Sequence, residues 1–268
     1  MDQKITPRER AAVESGVAPD REFMVTLAKG LAVLRAFRSD RRSMTLSQAA
    51  AVLHLSRATA RRILRTLTEI GYVQQNGREF TLAPRVLELG FGFLATQTWI
   101  ERAEPLMKEL SEQLGESSSA AILQGTEIVH VLRAPANRIL AIGSQIGSRL
   151  PAFHTAMGRL QLGALGVDEI WRRLRTIQVQ TYTSNTITDL DALVERPQLD
   201  LAQGFSIVDE ELEKGLRSIA VPITTRTGRI VAALDVSAHS TRTTRNELRE
   251  RFLGPMRGVA QEISEFLS

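Results

Sequence analysis

The stretch from Ser56 to Leu82 leaves the fewest folds open. At 100° per residue, Ala60, Ile63, Leu64, Leu67 and Ile70 fall on one side of a helix. Arg61, Arg62 and Arg65 point the other way, and Arg57 lies on the flank near the helix start. Ser56 is placed to cap this helix and Gly71 to end it. Upstream, Leu27, Leu31 and Leu34 recur at helical spacing, with Val33 and Phe37 widening the stripe. Thr45 and Ser47 offer caps for a short helix over residues 48–53, and His54-Leu55 makes a tight turn into the basic helix. Downstream, Asn76-Gly77 sits between two β-prone runs, the strongest short-range hairpin signal. Helix, turn, arginine-faced helix and hairpin, in that order, predict a winged helix-turn-helix. The arginine-faced helix suits the major groove, about 12 Å wide, while its apolar back packs on the module. The arginine fork donates two hydrogen bonds in one plane, to phosphate or to guanine. The expected DNA-binding set is Ser56, Arg57, Thr59, Arg61, Arg62, Arg65 and, beside the hairpin turn, Arg78.

The charge distribution points the same way. The chain carries 34 Lys/Arg against 30 Asp/Glu over 268 residues, a net of +4. Residues 1–98 hold 15 basic and 9 acidic side chains, residues 99–268 hold 19 and 21, and residues 24–85 alone hold 11 and 3. The basic excess is therefore local, as expected for a nucleic-acid-binding module joined to a near-neutral partner. With 43% apolar and 24% charged residues, collagen-like and wholly disordered readings are excluded. No apolar run reaches the ~18 residues of a membrane span, and the first residues lack a secretory signal, so a cytoplasmic protein with no membrane partner is expected. Cysteine is absent, which excludes disulfide scaffolds, Cys-ligated metal sites and a thiol nucleophile.

The organisation expected is an α+β protein with a flexible arm over 1–22, a winged helix-turn-helix over 23–83, a linker helix over 84–98 and a second domain over 99–268. Residues 1–22 are polar and broken by Pro7, Gly16 and Pro19. The linker should expose an apolar face for dimerisation. Thr98-Trp99-Ile100-Glu101 fits a capping box opening a helix to about Leu114. Strands are then expected at 120–124, 127–133, 138–144, 205–209, 216–223 and 229–237. Helices are expected at 155–165, from Asp168, from Thr188 or Asp189 to about Gly204, and at 246–267. Strands that mostly form hairpins, with helices gathered between them, predict an antiparallel sheet.

Catalytic patterns are missing. His130, His154 and His239 lie far apart in sequence. There is no H-E-x-x-H, no G-x-S-x-G and no phosphate-binding loop, and Gly90-Phe91-Gly92 lacks a third glycine. Asp209-Glu210-Glu211 has no paired histidine and reads as solvated or capping rather than metal-binding. No enzyme activity, metal or cofactor is expected.

Longer motifs carry a family resemblance. They are Leu46-Ser-Gln-Ala-Ala, Leu55-Ser-Arg-Ala-Thr-Ala-Arg-Arg-Ile-Leu-Arg-Thr-Leu, Gly147-Ser-Arg-Leu-Pro-Ala-Phe-His-Thr-Ala-Met-Gly-Arg and Asp209-Glu-Glu-Leu-Glu-Lys-Gly-Leu-Arg-Ser-Ile-Ala-Val-Pro. Over nearly its whole length the chain resembles the IclR family of bacterial transcriptional regulators. Within that family it looks most similar to the regulators of protocatechuate, 4-hydroxybenzoate and β-ketoadipate catabolism. The resemblance implies a GAF-like effector-binding second domain and homodimers, or dimers of dimers, on a palindromic double-stranded DNA operator. It implies a small carboxylic or aromatic acid as effector. The implied pocket places Thr155, Ala156, Met157 and Gly158, with the neighbouring His154, on one side and Asp209, Glu211 and Ser218 on the other. Arg138 or Arg149 would add a charge-assisted bond. Many members carry Cys where this chain has Ser218. Against this reading, Thr155 is equally a plain N-cap, and Gly158-Arg159 equally a packing glycine followed by a surface arginine. Other functions stay open: a DNA-binding regulator of another catabolic operon with a different small-molecule effector, a non-specific DNA binder without ligand, and an enzyme on a GAF-like fold, which here would need a non-thiol reaction.

Overall fold

A computed structural model describes residues 22–136 and 145–267. The chain divides into two compact units, ending and beginning at Phe93 and Leu94. Each is taken by itself.

In the first unit, helix α1 (Val25–Ala36) leads to strand β1 (Ser43–Thr45), α2 (Leu46–Val52) and α3 (Arg57–Glu69). Thr45 closes a full capping box with Gln48, so α2 starts at Leu46. His54, at φ 51°, makes the sharp turn between α2 and α3. Ser56 caps α3 by accepting from Thr59 N at 3.2 Å, and Gly71, at φ 81°, ends it. At that end Arg85 donates to the Ile70 carbonyl at 2.9 Å, a cation meeting the negative pole of the helix. Strands β2 (Val73–Asn76) and β3 (Glu79–Leu82) form the hairpin, and β1 joins it in the order β1-β3-β2. The third strand is not legible in the sequence, because three residues are too few for an alternation to show.

Several expectations shift by local geometry. The hairpin turn is Gly77-Arg78 rather than Asn76-Gly77, since Asn76 pairs with Glu79 across the ladder. Gly77 takes φ 61° at the first turn position while Arg78 keeps negative φ, which is the type II′ choice. In α1 the buried face is Ala28, Ala32, Val33 and Ala36, whereas Leu27 and Leu31 are 58% and 42% exposed. The small side chains let α1 approach α3 closely, and the leucines are left outside. Ile70 likewise is exposed, having passed the end of α3. The core of this unit holds the expected Val33, Phe37, Ile63, Leu64 and Leu67 together with Met44, Leu53, Val73 and Phe80. Helix α4 (Leu87–Ala95) follows, with no buried residue.

In the second unit, α5 (Thr98–Leu114) begins without the expected capping box. Gln97, not Thr98, is the N-cap, and no side chain caps it. Strands β4 (Ser117–Gln124), β5 (Glu127–Ala134), β6 (Arg149–Pro151), β7 (Ser206–Asp209), β8 (Leu216–Thr224) and β9 (Ile230–His239) build one antiparallel sheet in the order β6-β5-β4-β9-β8-β7. The expected strand at 138–144 lies outside the described residues. Helices α6 (Ala156–Gly163), α7 (Val167–Leu174) and α8 (Leu190–Gln203) connect the two halves, and α9 (Arg245–Glu247) runs through a π-turn into α10 (Leu253–Glu265). Among the described residues no helix is long and apolar enough to cross a membrane.

The sheet has a core on each face. On one face Ile219, Val221, Ile223, Leu234 and Val236 meet Trp99, Met107 and Leu110 of α5, Phe252 of the π-turn, and Met256 and Ile263 of α10. On the other face Ala121, Ala220 and Ala233 leave a shallow floor on which α6 sits. Helix α6 is buried all round. Its Gln161 takes the backbone N–H of Leu123 at 2.8 Å and donates to the Ala121 carbonyl, bridging helix and strand beside a bulge in the β4–β5 pairing. A Cβ on Gly158 would lie 2.2 Å from the Ala152 carbonyl oxygen. Gly158→Ala should therefore cost about 1–3 kcal/mol or more through overpacking, checked by urea unfolding. An unchanged midpoint would show that the turn before α6 relaxes freely.

Candidate DNA interface and effector site

The first unit presents one polar helix face. Arg57, Arg61, Arg62 and Arg65 are all exposed along α3, while Ala60, Ile63, Leu64 and Leu67 are buried behind them. Ser56 and Thr59 share the N-terminal end of that helix, their hydroxyls 2.9 Å apart. Among the described residues, Arg65 is the arginine of this row with an acidic partner, Glu69 at 3.0 Å. Arg78 stands exposed in the hairpin turn. A helix with a packed back and exposed guanidinium groups in front, followed by an exposed basic hairpin, can follow a duplex backbone and reach base edges.

In the second unit the expected site residues separate. Thr155 caps α6, accepting from Gly158 N at 3.1 Å, and Gly158 is enclosed by backbone. Ala156 and Met157 open α6 over the alanine floor, where the first N–H groups of a helix lack intrahelical acceptors. Ser218 points to this same face, because its neighbours in β8, Arg217 and Ile219, belong to the opposite one. Asp209 pairs with Arg217 in the ladder and so lies on the opposite face, where its carboxylate holds that guanidinium at 2.7 and 3.0 Å. Asp209 and Ser218 are thus not brought together. Arg149 sits in the edge strand β6, bound to Glu127 at 2.9 Å and Gln124 at 2.5 Å. Arg138 lies outside the described residues.

Arg159 is no surface arginine. It is 1% exposed, donates to the Phe153 carbonyl at 3.0 Å and meets Glu211 at 2.6 Å. This pair ties the start of α6 to the acidic loop after β7. Burial pushes the Glu211 carboxyl up, but His154 and Arg159 pull it further down, so it is held below the ordinary glutamate range. His154 is buried, 3.8 Å from Glu211 through Nδ1, with its ring edge-on to Tyr182. Each of the three neighbouring acids has its own donors. Asp209 has Arg217, Glu211 has Arg159, and Glu210 is held low by Ser240 and the Gly215 backbone. Among the described residues no group of His, Asp and Glu is arranged to hold a metal ion.

Sequence reasoning missed a second polar group on the α6 face. Asp235 in β9 is buried, and burial pushes its carboxyl up to about 7, against only the hydroxyls of Ser237 and Ser218. Its signal is visible in retrospect: a lone acid between Leu234 and Val236 in the middle of an apolar strand. His130 of β5 is buried too, and its imidazole is pushed down by that burial.

An arginine-faced winged helix and a separate two-faced sheet unit define a transcriptional regulator with a DNA-binding and a sensing part. Family models agree for both parts: the IclR helix-turn-helix domain matches residues 26–77, and the bacterial transcriptional regulator IclR C-terminal domain matches residues 92–265. The chain belongs to the IclR family. It is 38% identical to the Pca regulon regulatory protein of Pseudomonas putida, over 96% of this chain and 88% of that protein. It is 42% identical to a putative transcriptional regulator of Rhodococcus sp. RHA1, with a TM-score of 0.80 over 91% of this chain and 98% of that one. The fold is shared with an IclR homolog of Microbacterium hydrocarbonoxydans, solved in complex with 4-hydroxybenzoate, with a TM-score of 0.79, 22% identity and coverage of 90% and 98%.

Proposed function

We propose that this protein controls an operon for aromatic acid catabolism of the protocatechuate and β-ketoadipate type. In this reading the segment 23–83 binds double-stranded operator DNA through Arg57, Arg61, Arg62 and Arg65 of α3, with Ser56 and Thr59 at its start and Arg78 in the wing. The segment 99–268 senses a small carboxylic acid on the α6 face of the sheet, near Ala156, Met157 and Ser218. Thr155, Gly158, His154 and Glu211 shape that wall rather than touch the ligand. The observation that carries the reading is the likeness, across 96% of the chain, to a Pca regulon regulatory protein. It is supported by the aromatic acid held by the Microbacterium homolog on the same fold.

The same reading includes a homodimer. Helix α4, within the proposed linker 84–98, buries none of its side chains, and Leu87 and Phe91 are 74% and 72% exposed. A helix this apolar is stable in water only when covered, and a second copy would cover it while setting two recognition helices on one palindromic site. The function is tested by retardation of the protein's own upstream DNA, with and without protocatechuate, 4-hydroxybenzoate or β-ketoadipate. Specific retardation altered by one of these acids is the expected result. Equal affinity for random duplex at physiological salt would overturn it in favour of a non-specific binder.

A further inference from the structure

The strand register sets out a polar row on the α6 face that no sequence motif marks. Arg133 of β5 pairs with Ser119 of β4, and Ser119 pairs with Asp235 of β9. All three share the face of the alanine floor, since Ser118, Ala134, Leu234 and Val236 beside them belong to the other side. Adjacent to this row, Ser218 pairs with Ser237, and the Ser237 hydroxyl donates to Asp235 at 2.9 Å.

The two charged members of the row are not satisfied by each other. Ser119 stands between them, so their backbones are about 10 Å apart, two strand spacings. The Arg133 Nε is buried and has no hydrogen-bond partner among the described residues. Asp235 has hydroxyl partners and, among the described residues, no cation beside it. Buried donors without acceptors are rare and costly, and an arginine fork is shaped for a carboxylate. Of the two arginines expected at the effector, Arg149 is already occupied at the sheet edge, and Arg138 lies outside the described residues.

Resting on the acid-sensing reading above, we propose that Arg133 anchors the effector's carboxylate and that Asp235, with Ser218 and Ser237, receives a hydroxyl at its other end. The effector class is then a hydroxylated carboxylic acid spanning the two strand spacings from β5 to β9. A bare acid or a hydroxylated amide would satisfy only one end. A hydrogen bond to a charged group corresponds to about ten- to hundredfold in affinity.

The test uses the full-length protein and calorimetric titration with 4-hydroxybenzoate, benzoate and 4-hydroxybenzamide. Wild type should prefer 4-hydroxybenzoate over the amide and over benzoate, each by about tenfold or more. Arg133→Met should erase the preference for acid over amide, and Arg133→Lys should keep part of it. Asp235→Ala should erase the preference for 4-hydroxybenzoate over benzoate. Preserved ratios in Arg133→Met would overturn the anchor, and so would an equal loss of all three ligands together with a lowered melting temperature, which marks a structural residue. Those outcomes leave the acid-sensing reading standing. Failure of the wild type to bind either acid would overturn that reading and this inference with it.

Discussion

Glu211→Ala should destabilise the sheet unit by about 3–5 kcal/mol, because it leaves Arg159 buried without its ion-pair partner, with only the more distant Asp200 carboxyl near it. Arg159 is 1% exposed and, among the described residues, keeps the Phe153 carbonyl as its hydrogen-bond acceptor once the carboxylate is gone. The double replacement Arg159→Met with Glu211→Leu should be far milder, since a buried pair exchanged for apolar groups of like volume is often neutral. Urea unfolding of the three proteins reads the difference, and a loss under about 1 kcal/mol in Glu211→Ala would mean that water reaches the arginine. The pH dependence follows from the lowered carboxyl. The pair's stabilisation is complete above the ordinary glutamate value of 4.5 and fades as pH falls through the lower folded value. In the Glu211→Ala variant that acid limb should flatten. The same pair joins α6 to the loop after β7, so its loss should also loosen the wall of the proposed effector site.

Arg61→Glu combined with Arg62→Glu should lower operator affinity by about a hundredfold or more at low salt. Each lost phosphate contact should reduce the slope of log affinity against log salt by about one. A lost bidentate base contact corresponds to about 1–3 kcal/mol of discrimination. Both side chains are exposed, so thermal stability should stay within about 0.5 kcal/mol. Arg65→Glu alone should act more weakly than Arg61→Glu, because Arg65 already shares its charge with Glu69. Titrations of labelled operator at three salt concentrations measure the affinities and slopes, and thermal melting of the variants measures the stability. Unchanged affinity of the double variant would place DNA on another surface.

Local features were legible wherever one element satisfies itself. The α3 stripe from Ala60 to Leu67, its Ser56 cap and its Gly71 end follow from helical period and capping chemistry, and the structure has all three; Ile70 alone leaves the stripe. Asp189 and Gly204 bound α8 for the same reasons. Misreadings arose where a neighbour chose between alternatives. Leucines and alanines both mark α1 at helical spacing, and only the packing against α3 selects Ala28, Ala32 and Ala36. An arginine after glycine in a helix reads as a surface residue until the helix is enclosed on every side, as α6 is. Asp209 and Ser218 lie nine residues apart, and strand alternation then assigns them to opposite faces.

The amino-acid order alone determined the class of module, the direction of its basic face and the family, because period, caps, turns and charge are short-range and chemically explicit. Tertiary structure alone decided which polar side chains share a buried face. Arg133, Ser119 and Asp235 are separated by up to 116 residues, the span from Ser119 to Asp235, and meet only through the β5-β4-β9 register. A one-residue slip in that register would turn every side chain to the other face of the sheet.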